Sequence, residues 1–201
     1  KAGVIITRKF KDKSWGNFSI IGKHSSSSFI KNTKINGGSI SGLKNIIFSG
    51  MLSIFWNNNI LLENVELSNN KIGDDTLHIT KSSGRINNLK VSNCFSDCID
   101  FDYSNYSINN LMSLNSANDG LDLMETKIIG KKLLFINALD KGISVGENSN
   151  LIAEDVIIKK SNIGIASKDN STVYINTIGI YNCLVGVDTY RKNWRYSFPG
   201  T

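Results

Sequence analysis

The segment NDGLDL, residues 118–123, is answered 22 positions later by DKGISV, residues 140–145, and this pair sets the frame for the chain. Working outward in both directions, DDTLHI (74–79), SDCIDF (96–101), NIGIAS (162–167) and LVGVDT (184–189) fall in the same frame, giving five successive intervals of 22 residues. Self-similarity at one fixed period is the mark of a solenoid, in which each repeat buries its apolar face only against its neighbours.

The columns of this alignment carry the physics. Leu77, Ile99, Leu121, Ile143, Ile165 and Val187 are all apolar, and Ile79, Phe101, Leu123 and Val145 repeat the theme two residues on. Between them stand His78, Asp100, Asp122, Ser144, Ala166 and Asp188. Such alternation predicts a strand with one buried and one wet face. The column before it, Thr76, Cys98, Gly120, Gly142, Gly164 and Gly186, is small, as expected where the chain bends tightly. A second apolar pair recurs at Leu134 and Ile136, Val156 and Ile158, Ile178 and Ile180, and a column of Asn93, Asn115 and Asn137 predicts stacked amides at a turn. Two or three short strands per 22 residues, with no helix and no hexapeptide or leucine-rich frame, predict an all-β, right-handed parallel β-helix. One domain is expected over residues 1–201, with irregular coils at 1–59, regular coils at 60–193 and a C-terminal cap or tail at 194–201.

Composition agrees with a folded chain. Of 201 residues, 40% are apolar and 20% charged, the proportions of a globular protein rather than a disordered one. No apolar run is long enough to span a membrane as a helix. The opening KAGVIITRKF has too short an apolar stretch for a secretory leader, so the chain is expected to be a piece of a larger parent with further domains. The net charge of +6 is segregated, with acid concentrated between residues 74 and 125 and base near both ends. That is not the continuous basic stripe, interleaved with aromatics, of a nucleic-acid groove. A monomer is expected. Cys94, Cys98 and Cys183 match no metal-ligand spacing, and buried free thiols are expected.

Taken together, WGNFSI, SGMLSI, GDDTLHI, SDCIDFD, NDGLDLM, DKGISVGE, NIGIASKDNS and the tail YRKNWRY resemble a right-handed β-helix region of bacterial surface or secreted proteins, often found with spore-coat CotH-kinase-type domains. The resemblance implies a fold, an architectural role and an extracytoplasmic location, with no reaction attached. A looser similarity runs to pectin-degrading β-helices. Their hydrolases carry Asn-Thr-Asp, Asp-Asp and Gly-His-Gly, which Asn118-Asp119-Gly120, Asp74-Asp75 and Asp140-Lys141-Gly142 echo in another order. Lysine stands where the histidine would be, and no Arg-Ile-Lys follows.

Parallel stacking turns the period into proximity. Asp75, Asp97 and Asp119 are expected on adjacent coils about 4.8 Å apart, capped by Lys141. Asp100 and Asp122 form a second row between His78 and Ser144, and Asp102 shares their face. Like charges so close need an offset: a cation, a retained proton, a lysine or turn amides. Three uses follow. Asp97, Asp100, Asp119 and Asp122 have the spacing of glycosidase carboxylates. Lys141 is a candidate base for a lyase acting on an acidic polysaccharide. Asp100 and Asp122 are candidate Ca²⁺ ligands. His78, Asp75, Asp102 and Glu125 are candidate substrate contacts. Against these stands a structural reading, since Asp and Asn stack at turns by bonding local amides, and Lys141 can simply pair with Asp119. Trp15 and Trp56 can stack on sugars or fill gaps, while Trp194, Tyr196 and Phe198 are expected to cover the last coil. The leading expectation is an extracytoplasmic module that binds or scaffolds polysaccharide. A polysaccharide lyase or glycoside hydrolase, or a bare spacer, are the alternatives.

Overall fold

The computed structural model describes residues 3–22 and 27–201; the few remaining positions of the 1–59 segment lie outside it. The chain is an all-β, right-handed parallel β-helix with coils of about 22 residues. One eight-stranded sheet stacks Val4–Thr7, Ser28–Asn36, Ile60–Ser68, Ser83–Cys94, Asn105–Ser116, Lys127–Ala138, Asn150–Lys159 and Thr172–Tyr181. The other, the acidic sheet, stacks Phe18–Ile21, Gly50–Phe55, Asp75–Thr80, Asp97–Asp102, Leu121–Met124, Lys141–Gly146, Ile163–Lys168 and Val185–Tyr190. All pairings in both sheets are parallel. The first coils thus join the same two sheets despite their irregular sequence. An antiparallel hairpin, Ser41–Leu43 with Ile46–Phe48, is inserted ahead of Gly50–Phe55 and accounts for the lost period there.

Alternation along each strand sends Leu77, Ile79, Ile99, Phe101, Leu121, Leu123, Ile143 and Val145 into a continuous core shared with Leu89, Val91, Leu133, Phe135, Val156 and Ile158 of the facing sheet. The expected amide stack is present and longer than expected: Asn137 donates to Asn115, Asn115 to Asn93 and Asn93 to Asn69 at 2.9–3.2 Å. All four sit at positive φ, the left-handed region that Asn tolerates better than other non-glycine residues. A second stack joins Asn32, Asn64, Asn88 and Asn110. Inside, Ser82, Ser104, Thr126, Ser149 and Ser171 form a buried hydroxyl ladder, each accepting the N–H of its counterpart one coil earlier at 3.0–3.1 Å. Buried backbone donors are thereby satisfied at a corner where the sheet cannot do it.

The small column before the acidic strands has a steric origin, and two other expectations are corrected. Gly120, Gly142 and Gly164 are not at positive φ. They are small because a Cβ at each would stand 2.5–2.8 Å from the carbonyl oxygen of the coil below. Cys94 and Cys98 are joined in a disulfide with Cα atoms 5.2 Å apart, and only Cys183 is free. The four-residue spacing spans a turn that brings the two Cβ atoms together, which a strand or helix of that length would not. Trp194 and Phe198 do not cover the last coil: they are 83% and 69% exposed. Instead Thr201 pairs with Ser171 and Val173, leaving Val187 more than half exposed.

Candidate functional site

The outward row of the acidic sheet runs His78–Asp100–Asp122–Ser144 across adjacent strands, in the register the repeat predicts. Asp75, Asp97, Asp119 and Lys141 form the row at the turn before it. The wet face does not continue down the molecule. Ser144 and Ala166 are fully buried although they point outward, and the Lys168 side chain lies over Gly146.

The two rows have different chemistry. At the turn, Asp97 and Asp119 are each engaged by the coil below, and Asp75 by Ser49 of the coil above. Asp97 Oδ1 accepts the Asp119 N–H at 2.6 Å and the Asn118 side-chain amide at 2.8 Å. Asp119 Oδ1 accepts the Lys141 N–H at 2.9 Å and its ammonium at 3.3 Å. Burial still dominates: it raises Asp97 to about 7 and Asp119 to about 6, against the pull of those donors. In Lys141, burial pulls downward, but the hydrogen bonds and charges of Asp140 and Asp119 hold the amine at about 12. A lysine locked as an ammonium between two carboxylates is a cap, and it is unsuited to abstracting a proton at neutral pH.

The upper end of the face is a hydrogen-bonded cluster. His78 Nε2 lies 3.1 Å from Asp102 Oδ2, and His78 Nδ1 lies 2.8 Å from Ser49 Oγ. Ser49 Oγ also reaches Asp75 Oδ2 at 2.6 Å. Phe55 packs edge-on against the imidazole, with ring centroids 5.3 Å apart. Burial raises Asp75 to about 6, opposed by the Ser49 hydrogen bond and the His78 charge. Asp100 is pushed well above the ordinary carboxylate range, first by burial and then by Asp75, Asp102, Asp122 and Asp97 around it. Asp122 is one strand further and accepts the N–H of Leu123 at 3.0 Å.

Of the expected residues, the structure therefore brings His78, Asp75, Asp100 and Asp102 together. Asp97 and Asp119, with Lys141, cap backbone N–H groups along the turn, and Asp97 also groups with Asp74 and Asp75, with carboxylate oxygens within 4.8 Å of one another. Glu125 is exposed at a corner, where its carboxylate accepts the Asn148 amide at 3.2 Å and begins a separate Glu125–Asn148–Asn170 stack rather than joining the acidic row. Asp100 and Asp122, the expected Ca²⁺ ligands, are direct neighbours on adjacent strands. Among the described residues Asp100 groups with Asp75 and His78, with ligand atoms within 4.8 Å of one another. A nitrogen and two carboxylates fall short of the six to eight oxygens Ca²⁺ takes, and two of the three are already bound to Ser49 and Asp102. These residues do not fit that ion. Trp15 fills a gap beside the core and donates its indole N–H to Asn36, whereas Trp56 is 41% exposed at a corner.

Ser49 was not legible as a site residue. It lies after the inserted hairpin, outside the repeat frame, and only the pairing of Gly50 with Asp75 reveals its register. Compared with protein-family models, curated proteins and solved structures, the chain matches none. The likeness to CotH-associated and pectin-degrading β-helices rests on the quoted motifs alone.

Proposed function

We propose that the outward face of the acidic sheet, from His78 to Asp122, engages a polysaccharide, and that the protein works outside the cytoplasm. The observation that carries this is the flat row of stacked carboxyl groups on adjacent strands, a ladder of acceptors about 4.8 Å apart. Such a ladder suits an extended chain of hydroxyl donors. The sign of the row also selects the ligand. Asp100, Asp102 and Asp122 on the face, with Asp75, Asp97 and Asp119 at the adjoining turn, disfavour a polyuronate, so a neutral or amino-sugar glycan is the better match than an acidic one. The Cys94–Cys98 disulfide is in keeping with an oxidising compartment.

Retention on affinity gels cast with neutral and amino-sugar glycans tests this. We expect retarded migration on at least one of them, lost in an Asp100→Asn/Asp122→Asn double variant. Free migration on every gel returns the molecule to a structural spacer.

Glycoside hydrolysis is a second reading, favoured by one observation: Asp100 and Asp122 are direct neighbours on paired strands, with burial pushing Asp100 well above the ordinary carboxylate range, the direction a general acid needs. A lysine-dependent lyase has lost its support, because Lys141 is paired on two sides.

A further inference from the structure

The Ser49–His78–Asp102 chain, at the upper end of the acidic face, has the connectivity of an activated nucleophile. With His78 Nε2–H donating to Asp102 at 3.1 Å, Nδ1 carries the lone pair and stands 2.8 Å from Ser49 Oγ, whose single proton it shares with a second acceptor, Asp75 Oδ2 at 2.6 Å. A carboxylate that fixes the tautomer, an imidazole that accepts, and a hydroxyl that donates are the three parts of an acyl-transfer triad, recognised by geometry rather than by sequence order. Here the two ring nitrogens exchange the roles they have in chymotrypsin.

The surroundings are shaped for this contact. Gly50 is needed next to Ser49, because a Cβ there would stand 2.7 Å from the Leu52 carbonyl oxygen, 2.8 Å from the His78 backbone nitrogen and 3.0 Å from its Cβ, so the two coils could not close at this point. Phe55 walls one side of the imidazole. Apolar side chains on the segments that flank Ser49 are exposed: Leu43 and Ile47 on the hairpin that precedes it, at 58% and 70%, and Ile72 on the turn next to Gly73, at 60%. Gly73, next to Ile72, packs against the Ser49 carbonyl, which ties that turn to the serine.

We infer that Ser49 is the nucleophile of an ester hydrolase that removes acyl groups from hydroxyls, with His78 as its base and Asp102 as the residue that positions the imidazole. Ser49 Oγ attacks the ester carbonyl carbon while its proton passes to His78 Nδ1. The carbon–alkoxy bond breaks, and the alcohol leaves with that proton. Water, deprotonated by His78, then attacks the acyl-serine, releasing the carboxylic acid and restoring Ser49. The exposed Leu43, Ile47 and Ile72 supply a surface for the acyl group. The choice of a glycan O-acyl ester as substrate rests on the glycan reading above; the reactivity of Ser49 does not.

The test is covalent labelling of the folded chain with an alkyl fluorophosphonate at neutral pH, read by intact mass and peptide mapping, with p-nitrophenyl butyrate turnover alongside. We expect one adduct, on the peptide containing Ser49, and ester turnover that Ser49→Ala abolishes. His78→Gln should slow labelling by about 10²–10⁴-fold, and Asp102→Asn should slow it while shifting its pH profile. A wild-type chain that is folded by circular dichroism yet takes up no adduct, or takes it up at another serine, overturns the assignment without recourse to any variant. Labelling at Ser49 with no glycan retention leaves the nucleophile standing and removes the glycan. Glycan retention without labelling does the reverse.

Discussion

The Asn stack at one corner and the Asp row at another are built on the same geometry, with one residue per coil and neighbours in register. Their outcomes differ because an amide carries both a donor and an acceptor, while a carboxylate only accepts. Asn69, Asn93, Asn115 and Asn137 satisfy one another. Asp75, Asp97 and Asp119 cannot, so each draws on a donor that is not a neighbouring side-chain carboxylate: the Ser49 hydroxyl, the Asp119 backbone amide, or the Lys141 amide and ammonium. What is left over is met by retaining a proton, which is why burial raises all three. A stack of amides closes on itself and is architecture. A stack of carboxylates stays open to donors, and an open stack is where a ligand can bind.

The comparison is sharpened most by pH. Asp75, Asp97 and Asp119 have folded values of about 6, 7 and 6, above the ~3.9 of an unfolded aspartate. Between those limits the folded state binds more protons than the unfolded one. Stability is therefore greatest below about pH 4 and falls as pH rises through 6 to 7. Thermal melts should show Tm dropping by on the order of 5 °C between pH 4.5 and 8. A flat or rising profile would mean that the row is not desolvated.

Next in size is the amide stack. Asn115→Ala removes a link to both Asn93 and Asn137 and places alanine at φ 58°. The expected loss is about 1–2 kcal/mol in urea denaturation, nearly independent of pH. A pH-dependent loss would break the distinction between the two rows.

The smallest effect is the conversion of one row toward the other. Asp97→Asn keeps an oxygen to accept the Asp119 N–H and removes a charge set beside two others. It should gain about 1 kcal/mol at pH 8 and nothing at pH 4.5, where Asp97 already holds its proton. Equal effects at both pH values would show that charge is not what separates the stacks.

Much of this was legible before any coordinates. The run Leu77, Ile99, Leu121, Ile143, Ile165 placed the inward face, and the row His78, Asp100, Asp122 the outward one. Lys141 announced its pairing with Asp119 by breaking the sign of its column. Other features were hidden for identifiable reasons. Glu125 reads as acidic and available, yet it belongs to a corner because Met124 ends the strand. Ser144 reads as exposed by alternation, yet it is fully buried. Cys94 and Cys98 lie on either side of a turn whose tightness no spacing rule conveys.

Repetition explains where the boundary falls. A 22-residue period transmits local information from coil to coil, since each copy pairs with the next in the only register that keeps its apolar residues inside. From that, the sequence alone established the parallel β-helix, its two faces and the composition of every row. The Ser49–His78 contact, the grouping of Asp100 with Asp75 and the protonation of the row depend on the coil lengthened by the inserted hairpin and on how deeply each side chain is buried. Neither is periodic, so the assembled structure had to decide them.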